Sequence, residues 1–359
     1  MYKYPHVVVV GAGIVGASLA YHLTCLNARV TLIEKATKPG SAVTEKSFGW
    51  INAGHDESKT YLKLRQLAIE DWRRVEKELA GQLAIDWSGA LTWRENSAET
   101  ESLVRKLLDV DYQVRLVDEH EINLLEPNLK NAPTQAMFAK NEGAINPLFV
   151  TKLFIKAAQK AGADIQLGNE VLSLIIKGSH IAGVVTANGK WMADFVVLAT
   201  GADTTAMYHP LGLSLPLHIS PAILVAFQNM HRFVNGIVSN PLMEIRAASN
   251  TLTLAAEDYI DDSIENNPQA IAYRTLKQIK KHWRGTENIK LANVNVGKRP
   301  IPKDGLPVIG RPKDIEGLYL LVMHSGVTLA AIAGRLAAAE IVNDCDDSLL
   351  SSYRPDRFT

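Results

Sequence analysis

Apolar residues follow two different periods near the start of the chain, and each period predicts a different element. His6–Val10 is β-branched and almost wholly apolar, which is typical of a parallel strand buried on both faces. Ala17–Leu26 predicts a helix with small residues facing that strand, and Arg29–Glu34 predicts the next strand. These three segments together predict one βαβ unit of about 30 residues.

Helical periodicity returns at several later points. Tyr61 to Leu79 carries apolar residues at helical spacing in a polar background, which predicts an amphipathic helix that packs against a core. The segment from about Gln82 to Asn141 is mixed, and we interpret it as an inserted piece of another domain. The same periodicity predicts helices at 99–108, 148–161, 269–283 and 325–342.

Short apolar runs predict strands in the middle and at the end of the chain. They lie at 165–167, 171–176, 181–186, 195–199, 217–227, 251–256 and 317–323. Asn188-Gly189 predicts a hairpin turn. Met243 to Arg246 alternates like a strand with Glu244 and Arg246 on one face, where we expect a solvated cross-strand pair.

Composition narrows the class of protein. A length of 359 residues suggests roughly two domains at about 150 residues each. Lys+Arg and Asp+Glu both number 38, so a nucleic-acid partner is not expected. Two cysteines are too few for a disulfide scaffold, and they suit a reducing compartment. The apolar run Val7–Val10 is too short for a signal segment or membrane span, so we expect a cytoplasmic protein.

A glycine-rich turn joins the first predicted strand to the first predicted helix. Gly11 permits the tight turn, Gly13 allows a pyrophosphate to approach the helix N-terminus, and Gly16 allows close packing of the helix on the strand. Glu34, closing the second strand, is placed to accept hydrogen bonds from a ribose diol, and its charge disfavours NADP. This pattern predicts a dinucleotide site but leaves NAD and FAD equally possible.

Three blocks of the chain, 7–35, 143–201 and 297–342, carry characteristic motifs. They are Val9-Val-Gly-Ala-Gly-Ile-Val-Gly16, then Gly143-Ala-Ile-Asn-Pro147 with Leu198-Ala-Thr-Gly201, then Gly297-Lys-Arg-Pro300 with Asp304-Gly-Leu-Pro-Val-Ile-Gly310 and His324-Ser-Gly-Val-Thr-Leu329. Together these blocks resemble the glycine oxidase, sarcosine oxidase and D-amino-acid oxidase-like flavoproteins, and the resemblance covers nearly the whole chain. It implies an α/β fold in which a discontinuous Rossmann-type FAD-binding domain joins an α+β substrate domain with a mixed or antiparallel sheet. We expect the FAD-binding domain to comprise residues 1–80, 143–205 and 293–359, and the substrate domain 81–142 and 206–292.

The resemblance also implies which residues contact FAD. Those expected at the cofactor are Gly11, Gly13, Ile14, Val15, Gly16, Glu34, Lys35, Ser47, Phe48, Gly49, Val171, Thr200, Gly201, Ser325, Gly326, Val327 and Thr328. Unpaired N–H groups at the start of the last helix would favour negative charge on a reduced flavin; that Ser325 is simply an N-cap is the alternative, and both can hold together. Because the block 297–302 contains no cysteine, we expect non-covalent binding.

Candidate substrate residues follow from the same resemblance. Arg299 stands where relatives carry an arginine that binds the substrate carboxylate. Lys298 is a competing candidate for this role. The purely structural interpretation is that Arg299 is a surface arginine. His324 is a candidate for orienting substrate or flavin, and it stands in the loop where glycine oxidase-like relatives have a second arginine. Trp50 or His55 is expected to border the substrate space, and Tyr259 to close it, although ordinary packing explains each of them as well.

The expected reaction is oxidation of a small amino acid or secondary amine to an imine, with hydride transfer to flavin N5 and electrons passing to O2 or another acceptor. An NAD-dependent dehydrogenase, or a flavin-bearing subunit or binding protein without amine turnover, stays open. The sequence shows no Cys/His cluster at zinc spacing, no Gly-x-Ser-x-Gly and no Walker lysine, so no metal site, hydrolase or NTPase is expected. It leaves the oligomeric state open.

Overall fold

The computed structural model describes residues 4–54, 58–258 and 263–358. Within them the helices are α1 Ile14–Cys25, α2 Lys59–Glu78, α3 Ser97–Leu108, α4 Glu119–Leu125, α5 Pro147–Lys160, α6 Thr204–Tyr208, α7 Pro268–His282 and α8 Gly326–Asn343. The first strands are β1 His6–Val10, β2 Arg29–Glu34, β3 Trp50–Ile51, β4 Ala90–Thr92, β5 Arg115–Asp118, β6 Gln135–Ala139, β7 Gly143–Ala144, β8 Asp164–Leu167 and β9 Val171–Lys177. The later strands are β10 His180–Thr186, β11 Gly189–Met192, β12 Phe195–Leu198, β13 Leu217–Gln228, β14 Ile237–Asn240, β15 Met243–Ala247, β16 Leu252–Asp258, β17 Lys290–Pro302, β18 Val308–Gly310 and β19 Leu318–Val322.

A six-stranded sheet forms the centre of the first layer, in the order β18-β19-β12-β1-β2-β8. Every pairing in it is parallel except that of β18 with β19. Val7, Val8 and Val9 of β1 have no exposed surface, because helices cover one face and the meander β9-β10-β11 packs on the other. The predicted central strand and βαβ unit are therefore confirmed.

The two ends of the chain meet in this layer. Helices α1 and α8 pack closely, and the Ser18 hydroxyl donates a 2.7 Å hydrogen bond to the Ala330 carbonyl. At Gly334 a Cβ atom would lie 2.4 Å from Ser18 Oγ, so only glycine permits this approach. The Ala-rich composition of α8 thus serves tight helix packing against α1.

The second layer is a mixed sheet of eight strands, in the order β17-β13-β16-β15-β14-β4-β6-β5. The pair β14-β4 is parallel and the other pairs are antiparallel. Helix α7 packs on this sheet around the buried Trp283. Residues 293–302, which the expected boundaries place in the FAD-binding domain, hydrogen-bond to β13 of this second sheet. The domain boundaries themselves stay a prediction.

Helix α8 is also long and apolar enough to cross a membrane by length and composition alone. Two-thirds of it (67%) is buried inside the protein, as in the core helix of a soluble protein. Cys25 and Cys345 are free and exposed. No group of three or more potential metal ligands occurs among the residues that the structure describes.

A buried histidine in α1 is expected to lower the stability of the fold at acid pH. His22 is 5% exposed, lies 2.8 Å from the Ser18 carbonyl through Nδ1, and accepts a 2.9 Å bond from Arg74 at Nε2. Burial lowers its pKa from 6.5 to about 4. The unfolded chain therefore takes up a proton before the folded one, so this site's contribution to stability is complete above pH 6.5 and is lost as the pH falls toward 4.

We expect urea unfolding of the native protein to show a loss of up to about 3 kcal/mol between pH 7.5 and 4 from this site. His22→Gln keeps a neutral polar side chain and should lose less stability over the same interval. An equal loss in the two proteins would mean that His22 is not the group responsible.

Candidate active site

One large cavity of about 1170 Å³ opens at the carboxyl ends of the parallel strands. Its walls include Val10 at the end of β1, Glu34 at the end of β2, Ala199 just after β12 and Met323 just after β19. Residues 222–224 of β13 and 296–300 of β17 form the opposite wall. The cavity therefore lies between the two sheets, at the edge where open α/β sheets bind their ligands.

Most of the sequence-predicted site residues line this one cavity. They are Gly11, Gly13, Ile14, Val15, Glu34, Lys35, Ser47, Phe48, Gly49, Trp50, Val171, Thr200, Gly201, Arg299, His324, Ser325, Gly326, Val327 and Thr328. Gly16 does not line it, and Tyr259 and His55 lie outside the described residues. Segments more than 250 residues apart in sequence thus meet around a single space.

The three glycines of the first turn have different structural roles. Gly11 has φ = 103°, and a Cβ atom there would lie 2.6 Å from the Ala199 carbonyl oxygen. At Gly16 a Cβ atom would lie 2.0 Å from the Gly11 carbonyl oxygen, so Gly16 serves packing of α1 on β1. At Gly13 the nearest atom to a Cβ would be Thr44 Oγ1 at 3.4 Å, which leaves the cavity side of this residue open.

Helices α1 and α8 both begin at the cavity. Neither helix has an acidic residue in its first turn. Gly13 is the N-cap residue of α1 and Ser325 that of α8, and neither makes a side-chain capping hydrogen bond. The Ile14 N–H of α1 donates to Thr44 Oγ1 at 3.1 Å. Ser325 thus holds the N-cap position, yet its hydroxyl does not cap the helix. Both helix ends favour negative charge in the cavity.

Glu34 is held with its carboxylate at the cavity wall. Its Oε2 accepts a 2.7 Å bond from the Ala12 N–H and its Oε1 a 2.9 Å bond from the Ala36 N–H. Each carboxylate oxygen keeps a further lone pair for a ligand hydroxyl. Lys35 forms an ion pair with Asp203 at 2.6 Å; both side chains are more than half exposed, so the pair adds little stability.

Arg299 lies in β17, directly opposite Ser220 of β13. Its Nη2 donates to Ser220 Oγ at 2.8 Å, and its Nε to the Ser220 carbonyl at 3.3 Å. The neighbouring Lys298 is exposed and lines the same cavity. Ser220 therefore orients the Arg299 guanidinium in the cavity wall, while the side chain of Lys298 makes no hydrogen bond or ion pair with a described residue.

Trp50 contacts a fully buried carboxylate that sequence reasoning missed. Its Nε1 donates to Glu142 Oε2 at 2.9 Å. Glu142 Oε1 accepts from the N–H groups of Ala53 and Gly54, both at 3.0 Å, and from the Tyr112 hydroxyl at 2.6 Å. Burial raises the pKa of Glu142 and these hydrogen bonds oppose that rise. Glu142 thus fixes both the indole of Trp50 and the turn that follows it.

Asn52, in the same segment, is held from two other sides. Arg65 of α2, only 2% exposed, donates to the Asn52 carbonyl at 3.1 Å and to Asn52 Oδ1. The Asn52 N–H donates to Thr328 Oγ1 of α8 at 3.3 Å. The wall segment 50–54 is therefore tied to α2, to α8 and to Glu142, which makes it a rigid border of the cavity.

Arg246 corrects a sequence interpretation. It was expected beside Glu244 as a solvated cross-strand pair, but it is 5% exposed and donates to main-chain carbonyls behind the cavity wall. Glu244 is partly exposed and lines the cavity. The strand alternation was correct, and the solvated environment of Arg246 was wrong because the sequence does not show what covers that face of the sheet.

A double-mutant cycle measures the link between Trp50 and Glu142. Glu142→Gln can keep one acceptor oxygen for Tyr112 and the two backbone N–H groups, but then turns an amide N–H toward the indole N–H. We expect a loss of about 1–3 kcal/mol in the free energy of unfolding, and a clearly smaller loss when the same change is made in Trp50→Phe. Equal losses in the two backgrounds would show that the pair is not coupled.

The residues present fit a dinucleotide. Two helix N-termini without acidic residues in their first turns face the same cavity, Gly13 leaves room beside one of them, and Glu34 offers carboxylate lone pairs at the end of β2. A cavity of about 1170 Å³ is large for a substrate alone. These features define an α/β protein whose space between the two sheets fits a dinucleotide cofactor.

Comparison with known families identifies the cofactor. The family described as FAD dependent oxidoreductase matches residues 6–340, and the chain belongs to that family. It is therefore an FAD-dependent oxidoreductase, which decides between the two cofactors that the glycine motif left open. Glycine oxidase of Bacillus subtilis (strain 168) is 25% identical over 366 residues, covering 99% of this chain and 98% of that enzyme.

Solved structures share the fold over nearly the full length. Glycine oxidase from Geobacillus kaustophilus superposes with a TM-score of 0.86 at 22% identity, covering 98% of each chain. L-Proline dehydrogenase from P. horikoshii gives a TM-score of 0.87 at 21% identity, covering 98% of this chain and 97% of that one. The expected combination of a parallel-sheet unit and a second mixed-sheet unit is thus confirmed.

Proposed function

We propose that the protein oxidises the C–N bond of a small amino acid or secondary amine that bears a carboxylate. The observation that carries this proposal is the Arg299 guanidinium, which Ser220 orients in the wall of the cavity that fits FAD. A planar guanidinium pairs with a carboxylate and keeps its charge at every working pH. The similar enzymes named glycine oxidase and L-proline dehydrogenase act on such compounds, which supports the proposal.

FAD, when bound, supplies a two-electron acceptor that takes the Cα hydrogen as hydride. Arg299 binds the substrate carboxylate, and the fixed indole of Trp50 limits where the rest of the substrate lies. His324, in the loop before α8, is the candidate for orienting the substrate amine or the cofactor. Hydride transfer needs the neutral amine more than a strong base, so positioning supplies much of the acceleration. Water then hydrolyses the imine to a 2-oxo acid and the free amine.

The proposal also covers how the enzyme holds FAD and where in the cell the enzyme works. FAD is held non-covalently, since residues 297–302 contain no cysteine. Acid precipitation should therefore release all of the flavin into the supernatant, and colour retained in the pellet would contradict this. The electrons pass to O2 or to another acceptor, and the enzyme works in the cytoplasm.

Anaerobic mixing tests the proposed reaction. The FAD-loaded protein is exposed without oxygen to a panel of amino acids, N-methyl amino acids and matched amines lacking the carboxylate. We expect absorption near 450 nm to bleach with members of the first two groups and hardly with the third. Air is then admitted. Rapid reoxidation of the flavin would indicate that O2 is the electron acceptor, and slow reoxidation would indicate another acceptor. Bleaching that is equal with and without the carboxylate would overturn the role of Arg299.

One observation favours a second candidate function. His324 stands where the resemblance leads us to expect a second arginine, so the set of carboxylate ligands differs from that of glycine oxidase-like relatives. A flavin-bearing subunit or binding protein without amine turnover would keep the cavity and lose the reaction. A flavin that stays oxidised with the whole panel would support this alternative.

A further inference from the structure

Arg246 carries a buried charge that the proposed reaction has not used. Its Nε donates to the Phe48 carbonyl at 2.6 Å, its Nη2 to the Ile145 carbonyl at 3.0 Å and its Nη1 to the Ala247 carbonyl at 3.1 Å. All of these partners are neutral, and Arg246 forms no ion pair with a residue that the structure describes. Buried charges in proteins are normally paired, so a buried cation with only carbonyl partners is unusual.

The guanidinium stays charged in this environment. Burial lowers the pKa of Arg246 to about 10, which still leaves it protonated at neutral pH. The one carboxylate that acts on it appreciably is Asp86, which is partly exposed and already pairs with Arg232 at 3.0 Å. The net effect is a fixed positive charge in a region from which water is excluded.

This charge lies directly behind the cavity wall. Phe48 and Gly49 line the cavity, and Arg246 Nη2 would be 3.0 Å from a Cβ atom at Gly49. The Arg246 Cζ atom is 5.4 Å from the centre of the Phe48 ring. The guanidinium therefore contacts the 48–49 backbone, and this backbone segment lines the space in which we place FAD.

The other cations that line the cavity stabilise negative charge on FAD less strongly than Arg246 does at a similar distance. Lys46 and Arg299 are partly exposed and Lys298 is exposed, so water screens their charges. Arg65 also lines the cavity and is only 2% exposed, but the buried carboxylate of Glu142 interacts with it and offsets its charge. A charge buried in a low-dielectric wall acts more strongly over the same distance. Two-electron reduction of FAD with uptake of one proton leaves one negative charge on its ring system, and a nearby fixed cation stabilises that product over the neutral oxidised form.

We propose that Arg246 is a positioning residue for the wall segment 48–49 whose buried positive charge raises the reduction potential of bound FAD. The inference rests on the cofactor placement in the proposed function. It assigns Arg246 a task in accepting electrons without contact with the substrate. The two tasks are separable, because hydrogen bonding to the carbonyls and charge can be changed independently.

Two matched variants separate the charge from the hydrogen bonds. Arg246→Gln keeps an amide donor but is neutral, whereas Arg246→Lys keeps the charge with fewer donors. The midpoint potential of bound FAD is measured at pH 6.5 by slow enzymatic reduction against a reference dye, which needs no amine substrate. We expect a clear shift to more negative potential in Arg246→Gln and a much smaller shift in Arg246→Lys.

Thermal melting and the Kd for FAD show whether each variant retains its fold and its cofactor. Equal shifts in the two variants, or an unchanged potential in Arg246→Gln with FAD bound, would overturn the inference. Asp86→Asn gives a second test that leaves Arg246 itself unchanged: removing this opposing carboxylate should move the potential to more positive values, and an unchanged potential or a negative shift would count against the proposal. Since Asp86 also pairs with Arg232, the same change is made in Arg232→Gln, where the positive shift should persist. Failure of the native protein to bind FAD would instead refute the cofactor placement.

Discussion

Arg299→Met is expected to lower kcat/KM for a carboxylate-bearing amine by roughly 10- to 100-fold, because a hydrogen bond to a charged group contributes about 1.5–3 kcal/mol. Methionine fills a similar volume without a donor or a charge. The Kd for FAD should change little, since the cofactor residues of the first turn and of α8 are untouched. Steady-state kinetics with a paired amine that lacks the carboxylate gives the reference, and for that compound the two proteins should be similar.

Lys298→Met is the matched control for this prediction. Lys298 neighbours Arg299 in β17 and lines the same cavity, but no other side chain orients it. We expect less than about a threefold change, as for an exposed charge. A larger loss at Lys298 than at Arg299 would transfer the carboxylate-binding role to the lysine.

Gly16→Ala is expected to destabilise the FAD-binding unit strongly. The new methyl group would lie 2.0 Å from the Gly11 carbonyl oxygen and 3.3 Å from the Ala199 Cβ atom, and neither neighbour is the end of a flexible side chain. Helix α1 must then move away from β1, at a cost of about 3 kcal/mol or more, the upper end of the range for overpacked cores. Soluble yield and urea unfolding of the purified variant measure this loss.

Gly13→Ala separates folding from cofactor binding at the same turn. Gly13 has φ = −71° and ψ = 175°, a conformation that alanine adopts readily, and the nearest atom to its Cβ would be 3.4 Å away. We expect stability without FAD to fall by less than about 1 kcal/mol, whereas the Kd for FAD rises at least tenfold because the methyl group occupies the space at the helix N-terminus. Normal FAD affinity in this variant would place the pyrophosphate elsewhere.

Periodicity was sufficient to predict the elements that carry the site. The strand His6–Val10, the strand Arg29–Glu34 and the last helix were each located to within a few residues, because apolar spacing records which face is buried. The cavity at the carboxyl ends of the strands follows from the same pattern, since parallel strands end at a common edge. Local sequence thus predicts where a cofactor residue stands when its own backbone forms the site.

Residues that act over long sequence separation could not be found in this way. Glu142 contacts Trp50 across 92 positions, and Arg246 contacts Phe48 across 198. Nothing in the residues around Glu142 distinguishes it from a surface carboxylate, and alternation in β15 shows only that Arg246 and Glu244 share a face. Which face of a strand is covered by another segment depends on tertiary packing, which a single sequence does not record.

The contact between Ser18 and Ala330 joins residues 312 positions apart. During translation at about 5–20 residues per second, helix α1 waits roughly 15 to 60 s for the helix that covers it. In that interval the face of α1 that α8 covers stays open, although α5 already packs against another part of the helix, and a molecule whose synthesis stops before α8 never covers that face. We therefore expect the nascent polypeptide to depend on chaperones until α8 emerges, and products that lack α8 to be removed by proteolysis.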